Sequence, residues 1–486
     1  MSTLLPVTGL PASAAVRRLF RDAGYDGAGI QALLHSQGEH LFSARDLPVH
    51  LRRLDGDERP LALLVRLFLL DAGADPDAAE RALGDGLAAL QALALVEEAD
   101  GVVRGTVRVT PCDELLIASD FPRPDAPPDH VASVHRPSGT LSSLTVRRPV
   151  RRALDVGTGN GIQALLLASH AEHVVATDVN ERALAFAAFN AELNGIGNVE
   201  LRRGSFLEPV EGERFGVAVA NPPYVISPET EFVFRDSGLG RDRVSEELVR
   251  AFPSVLEEGA FGTVMISWIR ARDDAAAAPR RWVGDGGCDA WLFHTAFHDA
   301  LTSAASWNRG AGGEELEQRL DRWLDYYRAE RIEGIAYGTL VLRRRADGGG
   351  WFRSVEVPDG PRDAGGAHVE LLFRNQDALA GLDDEALLER VALVCPHTVF
   401  EHANRSGPGG WTTVEAALAV RGGIAFRAPL DAPSAALVAE LHPSRRVHEV
   451  VEAAAAKRGE PLEEFTQPAL GLLRRLLQLG FAELAD

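Results

Sequence analysis

A run of small apolar residues stops at Asn221-Pro222-Pro223-Tyr224, within the stretch VAVANPPYVISP. Neither proline has an N–H to donate and each fixes its own φ, so a strand cannot continue through them. The residue before a proline is also kept out of the helical region. We expect a stiff, extended backbone whose carbonyls have no local hydrogen-bond partner. Such an edge suits a ligand group that donates two N–H bonds, although a strand followed by a rigid turn is the plainer alternative.

A second pattern lies upstream in ALDVGTGNGIQALLLAS, where Asp155 precedes Gly157, Gly159 and Gly161. Glycines let the backbone turn sharply and approach a ligand closely. The spacing is G-x-G-x-G after an acid, not the G-x-G-x-x-G of dinucleotide folds. An acid beside the loop would repel the phosphates that helix N-termini attract, but it would accept hydrogen bonds from an ammonium group. A nucleoside joined to an amino acid therefore fits better than one joined to phosphates.

Asp178 ends the next apolar strand, where an acid can bind both ribose hydroxyls. Loops that follow parallel strands meet at the switch point of a sheet, so we expect Asp155, Asp178 and Asn221 in one crevice. Each signal alone is weak, since glycine loops are often tight turns and acids often cap helices. Their order and spacing together favour a functional site.

Apolar spacing predicts three domains. Helical periodicity from 14 to 93 and a hairpin over 95–111 predict an N-terminal helical, winged-helix-like domain over 1–125. The proline-rich stretch 120–130 has the composition of a linker or an extended crossing segment.

The middle of the chain, 126–346, alternates strands and helices from Arg151 onward. This pattern predicts an α/β fold with a doubly wound, parallel sheet. We expect an amphipathic helix over 314–327, a final long strand over 334–345 and an irregular insertion over 270–310.

A glycine-rich boundary precedes the third predicted domain, 347–486. It should hold a strand over 368–373 and three helices, the last stopped by Gly480, in an α+β, winged-helix-like module. The helices are expected near 432–441, 445–458 and 464–479.

Bulk composition limits the partners. A formal net charge of −20 and a pI near 5.2 disfavour whole-molecule attraction to nucleic acid or anionic lipid. Cys112, Cys288 and Cys395 are scattered, which indicates reduced cysteines rather than a disulfide framework or a metal site. The most apolar run carries Arg66 and is too short to cross a bilayer, so we expect a cytoplasmic protein without a membrane span.

With these motifs, residues 151–269 resemble the class I S-adenosylmethionine-dependent methyltransferases, in which Asn-Pro-Pro-Tyr marks the branch that methylates planar nitrogen. The likeness is nearest to the protein-glutamine methyltransferases that modify release factors and to ribosomal RNA guanine N2 methyltransferases. The resemblance implies a Rossmann-like methyltransferase sheet flanked by N- and C-terminal modules. It also implies S-adenosylmethionine as cofactor, S-adenosylhomocysteine as product, and no metal.

The resemblance assigns the methionine part of the cofactor to Asp155 and the glycine loop, the ribose to Asp178 and the adenine flanks to Val179 and Asn180. Ser205 stands where the family often has an acid, which weakens the expected adenine contact. Gly216 also stands where an acid is common, which affects only local capping. The cofactor-binding set implied in this way is Asp155, Gly157, Thr158, Gly159, Asn160, Gly161, Asp178, Val179, Asn180, Ser205, Phe206 and Asn221.

The resemblance also implies how the acceptor is held. The Asn221 side-chain oxygen and the Pro222 carbonyl would each take one N–H of a planar acceptor, while Tyr224 stacks on it and Pro223 helps to keep the turn rigid. Methyl transfer is an in-line displacement that needs no covalent intermediate, so positioning supplies much of the rate.

Three further features have both a functional and a plain interpretation. Arg136 and Thr140 precede the first strand, where relatives place a substrate-facing segment, but a helix cap explains them equally well. Arg235 belongs to a predicted substrate-binding loop, 234–243, that is either a mobile lid or an ordinary loop. His294 and His298 have metal-ligand spacing without a third clear ligand, so we expect no metal.

Several functions stay open at this point. The first is N-methylation of a planar amide or amine of a protein or peptide, which the acidic charge favours over RNA. The second is O-methylation of a carboxylate in a peptide natural product. Methylation of a ribosomal RNA base, a cofactor-binding scaffold without turnover and a winged-helix regulator are further alternatives, and the oligomeric state is undetermined.

Overall fold

The structure is a computed structural model, and it describes residues 5–35, 46–123, 126–230, 233–235, 239–308, 310, 312–357 and 365–485. The chain divides into two compact units, each made of several segments. The first comprises Met1–Leu141, Arg148–Ala290 and Phe297–Phe352, and the second comprises Ser142–Arg147, Trp291–Ala296 and Arg353–Asp486. The first unit includes residues on both sides of the boundary predicted at 125, so the three-domain division stays a prediction.

Helices followed by two β hairpins form the beginning of the first unit. The elements are α1 (Leu10–Asp22), α2 (Gly27–Leu34), α3 (Leu47–Arg53), α4 (Pro60–Phe68), α5 (Pro76–Leu83), α6 (Asp85–Ala92), β1 (Val96–Ala99), β2 (Val102–Gly105), β3 (Arg108–Cys112) and β4 (Leu115–Ser119). The β1–β2 hairpin turns at Asp100-Gly101, where φ is 52° and 71°, the positive values that a type I′ turn requires. The predicted hairpin is confirmed, whereas the winged-helix likeness stays a prediction.

The middle of the chain forms the large sheet. Its elements are α7 (Arg136–Leu144), β5 (Val150–Val156), α8 (Ile162–Leu167), β6 (Ala171–Asp178), α9 (Glu181–Asn194), β7 (Val199–Arg203), β8 (Phe215–Ala220), α10 (Arg243–Ala251), β9 (Leu256–Ile269), α11 (Ala277–Val283), β10 (Cys288–Asp299), α12 (Ala300–Trp307), α13 (Gly313–Ala329) and β11 (Gly334–Arg344). Within the first unit the strand order is β11-β9-β8-β5-β6-β7. Strands β5 to β9 pair in parallel and β11 is antiparallel to β9. The predicted doubly wound sheet is therefore confirmed.

The order of the strands creates a switch point. From β5 the chain adds β6 and β7 on one side, and then it crosses to add β8 and β9 on the other. Ligands of open α/β sheets bind at the carboxyl ends of the strands on either side of such a crossing, here β5 and β8.

Helix α9 joins the first helices to the sheet. Its Phe186, Phe189 and Leu193 are buried in the same core as the helices α1 to α6. On another side, the Asn190 amide bonds both backbone groups of Ala118 in β4, and the Asn194 amide bonds both backbone groups of Leu116, at 2.8 to 2.9 Å. Helix α9 is thus a hydrogen-bonded neighbour of a β-strand.

The prediction of an irregular insertion over 270–310 is wrong, because α11, β10 and α12 lie there. The first six residues of β10 are all buried, the ion-paired Asp289 among them, so the strand lacks the alternation of a half-exposed strand. The helix predicted over 314–327 and the strand predicted over 334–345 are confirmed as α13 and β11.

The proline-rich stretch 120–130 does not cross the molecule as an extended segment, whereas its role as a linker between domains stays a prediction. The Asp120 N–H donates to the Val131 carbonyl at 3.1 Å, which brings the two ends of the stretch together. The Asp120 carboxylate forms a buried ion pair with Arg182 of α9 at 2.5 Å. A buried ion pair between distant positions gives no local sequence signal, so the sequence did not indicate this closure.

The end of the chain contributes six strands and five helices in its described part. The elements are β12 (Phe352–Glu356), α14 (Gly366–Ala380), α15 (Asp384–Leu388), β13 (Ala392–Val394), β14 (Thr398–Gly407), β15 (Gly410–Val420), β16 (Arg427–Leu430), α16 (Ala432–Glu440), α17 (Val447–Arg458), α18 (Leu462–Gln478) and β17 (Ala482–Leu484). The three terminal helices are confirmed, and Gly480 follows them with a φ of 68°. The strand predicted over 368–373 is wrong, because Val369, Leu372 and Phe373 form the buried face of α14 at helical spacing.

Two findings bear on the predicted class of protein. Within the described residues, no helix combines the length and the apolar character needed to cross a membrane. The described cysteines, Cys112, Cys288 and Cys395, form no disulfide bond.

Candidate active site

A cavity of about 450 Å³ lies at the carboxyl ends of β5, β6, β7 and β8. Each of these strands is followed by residues of the wall, as expected for a site at a switch point. The predicted site residues that line it are Gly157, Thr158, Gly159, Asn160, Asp178, Val179, Asn180, Ser205, Phe206, Asn221, Pro222, Pro223, Tyr224 and Arg235. The structure therefore brings together most of the residues that the sequence singled out.

The glycine loop owes its shape to positive φ values. These are 71° at Gly157, 55° at Gly159 and 87° at Gly161. A Cβ added to Gly161 would lie 3.0 Å from Cα and Cβ of Ala187, so this glycine lets the loop pack against α9. Gly161 does not line the cavity, and its contribution is to the packing beneath it.

Asp155 also lies beneath the loop and not in the cavity wall. One carboxylate oxygen accepts hydrogen bonds from the Thr158 hydroxyl at 2.6 Å and from the Ala164 N–H at 3.0 Å. Burial raises the pKa of this carboxyl group to about 7. Asp155 fixes the loop to the start of α8, and its direct bond to an ammonium group stays a prediction.

Asp178 does face the cavity. One of its oxygens accepts the Gly159 N–H and the other accepts the Asn180 N–H, both at 2.9 Å. Burial raises the pKa of Asp178 as well. A carboxylate oxygen has more than one lone pair, so both oxygens keep acceptor capacity toward the cavity.

Two predicted cofactor asparagines hold a segment that the sequence analysis missed. The Asn160 amide donates to the Ala132 carbonyl at 2.9 Å, and the Asn180 amide donates to the Asp129 carbonyl at 2.8 Å. Between these anchors, His130 and Val131 line the cavity. The segment 129–132 overlaps the end of the proline-rich stretch 120–130, and only the fold shows that it reaches the cavity.

All four residues of Asn221-Pro222-Pro223-Tyr224 line the cavity. Among the described residues, the Asn221 side-chain amide has no hydrogen-bond partner. The Pro222 carbonyl accepts the Tyr224 N–H at 2.8 Å, which corrects the expectation that it has no local partner. Its second lone pair stays available, and the short bond makes the turn stiffer.

The Tyr224 side of this turn is fixed by the sheet. The Ser267 hydroxyl of β9 donates to the Tyr224 carbonyl, and the Tyr224 ring packs against the sheet core. Burial raises the pKa of the Tyr224 phenol. The phenol is therefore neutral at physiological pH.

Of the predicted substrate-binding residues other than Tyr224, one lines the cavity and two do not. Arg235 is buried in the cavity wall and donates to Glu229 at 2.8 Å. Arg136 is exposed on α7, and neither Arg136 nor Thr140 is among the lining residues. Their neighbours Pro137 and Ser138 line the cavity instead, so the helix is near the site but presents other positions to it.

Other features of the sequence lie outside this cavity or outside the described residues. Gly238 of the predicted lid falls outside the described residues. His294 and His298 lie on β10, and no group of three or more potential metal-binding side chains occurs in the described part of the chain. Trp307 of α12 lines the cavity and was not anticipated.

Three separate parts of the chain match known protein families. Residues 138–259 match the methyltransferase small domain. Residues 22–106 and 372–483 each match a domain of unknown function. The two flanking matches carry no functional assignment.

Curated relatives are similar over a short part of the chain. The release factor glutamine methyltransferase of Xylella fastidiosa (strain Temecula1) is 44% identical over 77 residues, which are 15% of this chain and 28% of that protein. The corresponding enzyme of Yersinia pestis is 47% identical over 76 residues, 15% of this chain and 27% of that protein. The ribosomal protein uL3 glutamine methyltransferase of Xanthomonas campestris pv. campestris is 36% identical over 86 residues, 17% of this chain and 28% of that protein. The chain thus matches less than a third of the length of each of these relatives.

Among solved structures, Trm5b from Pyrococcus abyssi is similar over 51% of this chain and 62% of that chain, at 12% identity and a TM-score of 0.31. This likeness is too low to carry an argument. The fold follows instead from the strand order. Residues 138–259 are similar to the methyltransferase small domain, and the parallel strands β5 to β8 lie within this match.

Proposed function

We propose that this chain is an S-adenosylmethionine-dependent methyltransferase that N-methylates a planar amide or amine of a polypeptide, with a glutamine side chain as the first candidate acceptor. One observation carries the proposal. The Asn221 amide, without a partner among the described residues, and the free lone pair of the Pro222 carbonyl occupy the same cavity as the glycine loop and Asp178.

The residues of the cavity fit the cofactor. A volume of about 450 Å³ is within the usual range for small-molecule sites. Asp178 offers acceptors for ribose hydroxyls, while Val179, which is 46% exposed, and Phe206 offer apolar surface for a flat base. When bound, S-adenosylmethionine supplies a methyl group activated by its sulfonium sulfur.

The acceptor would be oriented by the Asn221 turn. The Asn221 Oδ1 atom accepts one N–H of a planar nitrogen and the Pro222 carbonyl accepts the other. Two acceptors aimed at this nitrogen also stabilise the positive charge that it gains as the N–C bond forms. The Pro222–Tyr224 bond and the Ser267 hydroxyl hold these acceptors in place, so the geometry exists before the acceptor arrives.

A polypeptide acceptor is favoured over RNA by charge. The chain carries a net charge of −20, whereas RNA binding draws on clustered positive charge. The named activities of the similar proteins, on a release factor and on a ribosomal protein, agree with this choice. Ribosomal RNA methylation and carboxylate O-methylation are therefore the outcomes that the test must separate.

The test uses S-adenosylmethionine labelled in the methyl group, with purified bacterial release factor, ribosomal protein uL3 and total RNA as separate acceptors. We expect label in protein, located at a glutamine by mass spectrometry, and stable to mild alkali. Alkali-labile label would indicate a carboxyl methyl ester, and label confined to RNA would indicate a base methyltransferase. Either result would overturn the proposal.

A further inference from the structure

We propose that Trp307 is a specificity-determining residue, whose indole forms the acceptor-side wall of the cavity and selects a planar, uncharged carboxamide. This inference rests on the proposed function and names a residue outside the matched methyltransferase region, 138–259. Trp307 ends α12, in the part of the chain that the sequence suggested was irregular.

The strand order places Trp307 on the acceptor side. Asp178 and Ser205 follow β6 and β7, which lie on one side of β5, whereas the Asn221 turn follows β8 on the other side. Trp307 donates its indole N–H to the Tyr337 hydroxyl of β11 at 3.2 Å. Tyr337 is paired in register with Ser267, the residue whose hydroxyl binds the Tyr224 carbonyl. Trp307 is therefore tied to the strands next to the turn and away from the ribose side.

A chain of hydroxyl groups fixes the indole. The Tyr337 hydroxyl lies 3.1 Å from the Ser303 hydroxyl, which is 3.4 Å from the Tyr327 hydroxyl. Tyr327 then donates to the Ile226 carbonyl at 3.0 Å, just after the Asn-Pro-Pro-Tyr turn. The wall and the turn thus share one hydrogen-bond network. An aromatic ring held in this way provides contact area without a large loss of side-chain freedom on binding.

The surroundings of the indole favour an uncharged group. Val225 lines the same cavity and belongs to one apolar cluster with Trp307 and Tyr337. A flat amide can lie against an aromatic face while its N–H groups bind Asn221 and Pro222. The cation of the cavity wall, Arg235, is already paired with Glu229 at 2.8 Å, so an ionised carboxylate would lose its hydration against the apolar groups around the indole.

The experiment measures binding and needs no identified acceptor. The probe is an S-adenosylhomocysteine analogue in which a nitrogen replaces the sulfur and carries a propanamide arm, and the matched probe carries a propyl arm. By calorimetry, Trp307→Ala should weaken binding of the propanamide probe by about 3- to 10-fold, the range of an aromatic contact. Binding of S-adenosylhomocysteine itself should not change.

Two further variants separate specificity from folding. Trp307→Phe keeps a ring and should retain part of the propanamide affinity. Tyr337→Phe removes only the hydroxyl that receives the indole N–H and should cause a smaller loss, with a melting curve close to that of the unmodified protein. These two variants keep the test informative if Trp307→Ala folds poorly.

The outcomes are distinguishable. The role of Trp307 would be overturned if the unmodified protein and Trp307→Ala bound the propanamide probe equally well. It would also be overturned if Trp307→Ala lost the same affinity for the propanamide probe and for the propyl probe. In both cases the proposed function stands. Failure of the unmodified protein to bind S-adenosylhomocysteine would instead overturn the proposed function, and this inference with it.

Discussion

The two sides of the cavity differ in how their polar groups are satisfied. On the side of β5 to β7, Asp155, Asp178, Asn160 and Asn180 all have hydrogen-bond partners within the protein. On the side of β8 to β11, the Asn221 amide has none among the described residues, and aromatic side chains form much of the wall. The polar side chains of the first side are bonded within the protein, whereas on the second side the Asn221 amide is left to bond the acceptor.

The matched region, 138–259, covers one side of the cavity and part of the other. The glycine loop, Asp178 and the Asn-Pro-Pro-Tyr turn lie within it. Trp307, Tyr337 and Ser303 lie outside it. An acceptor wall outside the match could combine the same chemistry with a different acceptor.

The largest effect that should distinguish the two sides of the cavity comes from removing the side-chain amide of Asn221. Asn221→Ala should lower kcat by about 10²–10³, because an acceptor that orients the nitrogen and stabilises its charge is lost. The Kd for S-adenosylmethionine should change little. Tyr224→Phe is the control, since it keeps the ring and should cost much less, and Tyr224→Ala should cost more than Tyr224→Phe. Near-normal turnover of Asn221→Ala on the identified acceptor would exclude planar-nitrogen chemistry.

The corresponding test on the cofactor side is Asp178→Ala. We expect about a 10- to 100-fold weaker Kd for S-adenosylmethionine, because hydrogen bonds from the ribose and from the Gly159 and Asn180 N–H groups are lost together. Calorimetry with Asp178→Asn, which keeps one acceptor oxygen, should give an intermediate value. An unchanged Kd for S-adenosylmethionine in Asp178→Ala would contradict the proposal that Asp178 binds the cofactor. Tight NAD binding by the unmodified protein would contradict it as well.

A smaller effect should separate two glycines of the same loop. Both Gly157 and Gly161 have positive φ, so alanine at either should cost about 1–2 kcal/mol in the free energy of unfolding. Only at Gly161 would the new Cβ press on Ala187, which should add about 1 kcal/mol or more. Urea unfolding of the two variants measures the difference, and equal values would show that the loop relaxes away from α9.

The smallest expected effect concerns pH. Because burial raises the pKa of Asp155 to about 7 from 3.8, its contribution to stability is complete at acid pH and is lost as the pH rises through 7. Asp155→Asn cannot ionise, so its melting temperature should rise relative to the unmodified protein between pH 5 and pH 8. The measurement is made without cofactor. A difference that does not vary with pH would show that the carboxyl group titrates near its ordinary value.

Sequence reasoning succeeded where the signal is local. The Asn-Pro-Pro-Tyr turn and the glycine loop are continuous motifs, and Asp178 follows from the end of a recognisable strand. The sheet itself follows from the alternation of strands and helices.

Sequence reasoning failed where the site depends on contacts between residues that are far apart in the sequence. His130 reaches the cavity through the Asp120–Arg182 ion pair and the amides of Asn160 and Asn180, which no local pattern reveals. The position of the Trp307 indole depends on its hydrogen bond to Tyr337, which lies on another element. The strand predicted within α14 is wrong because six residues are too few to distinguish the two-residue period of apolar residues in a strand from the 3.6-residue period in a helix.

The contacts of Asn190 and Asn194 with β4 have a consequence for self-association. Residues four apart on a helix are separated by about 6 Å along its axis, and residues two apart on a strand by about 6.7 Å. This near match lets the two amides pair with Ala118 and Leu116, so the backbone of β4 is occupied there just as it would be by another strand. An unpaired strand edge is a template for aggregation, and a helix here removes it. Replacing both asparagines would therefore threaten the solubility of the chain as well as its stability.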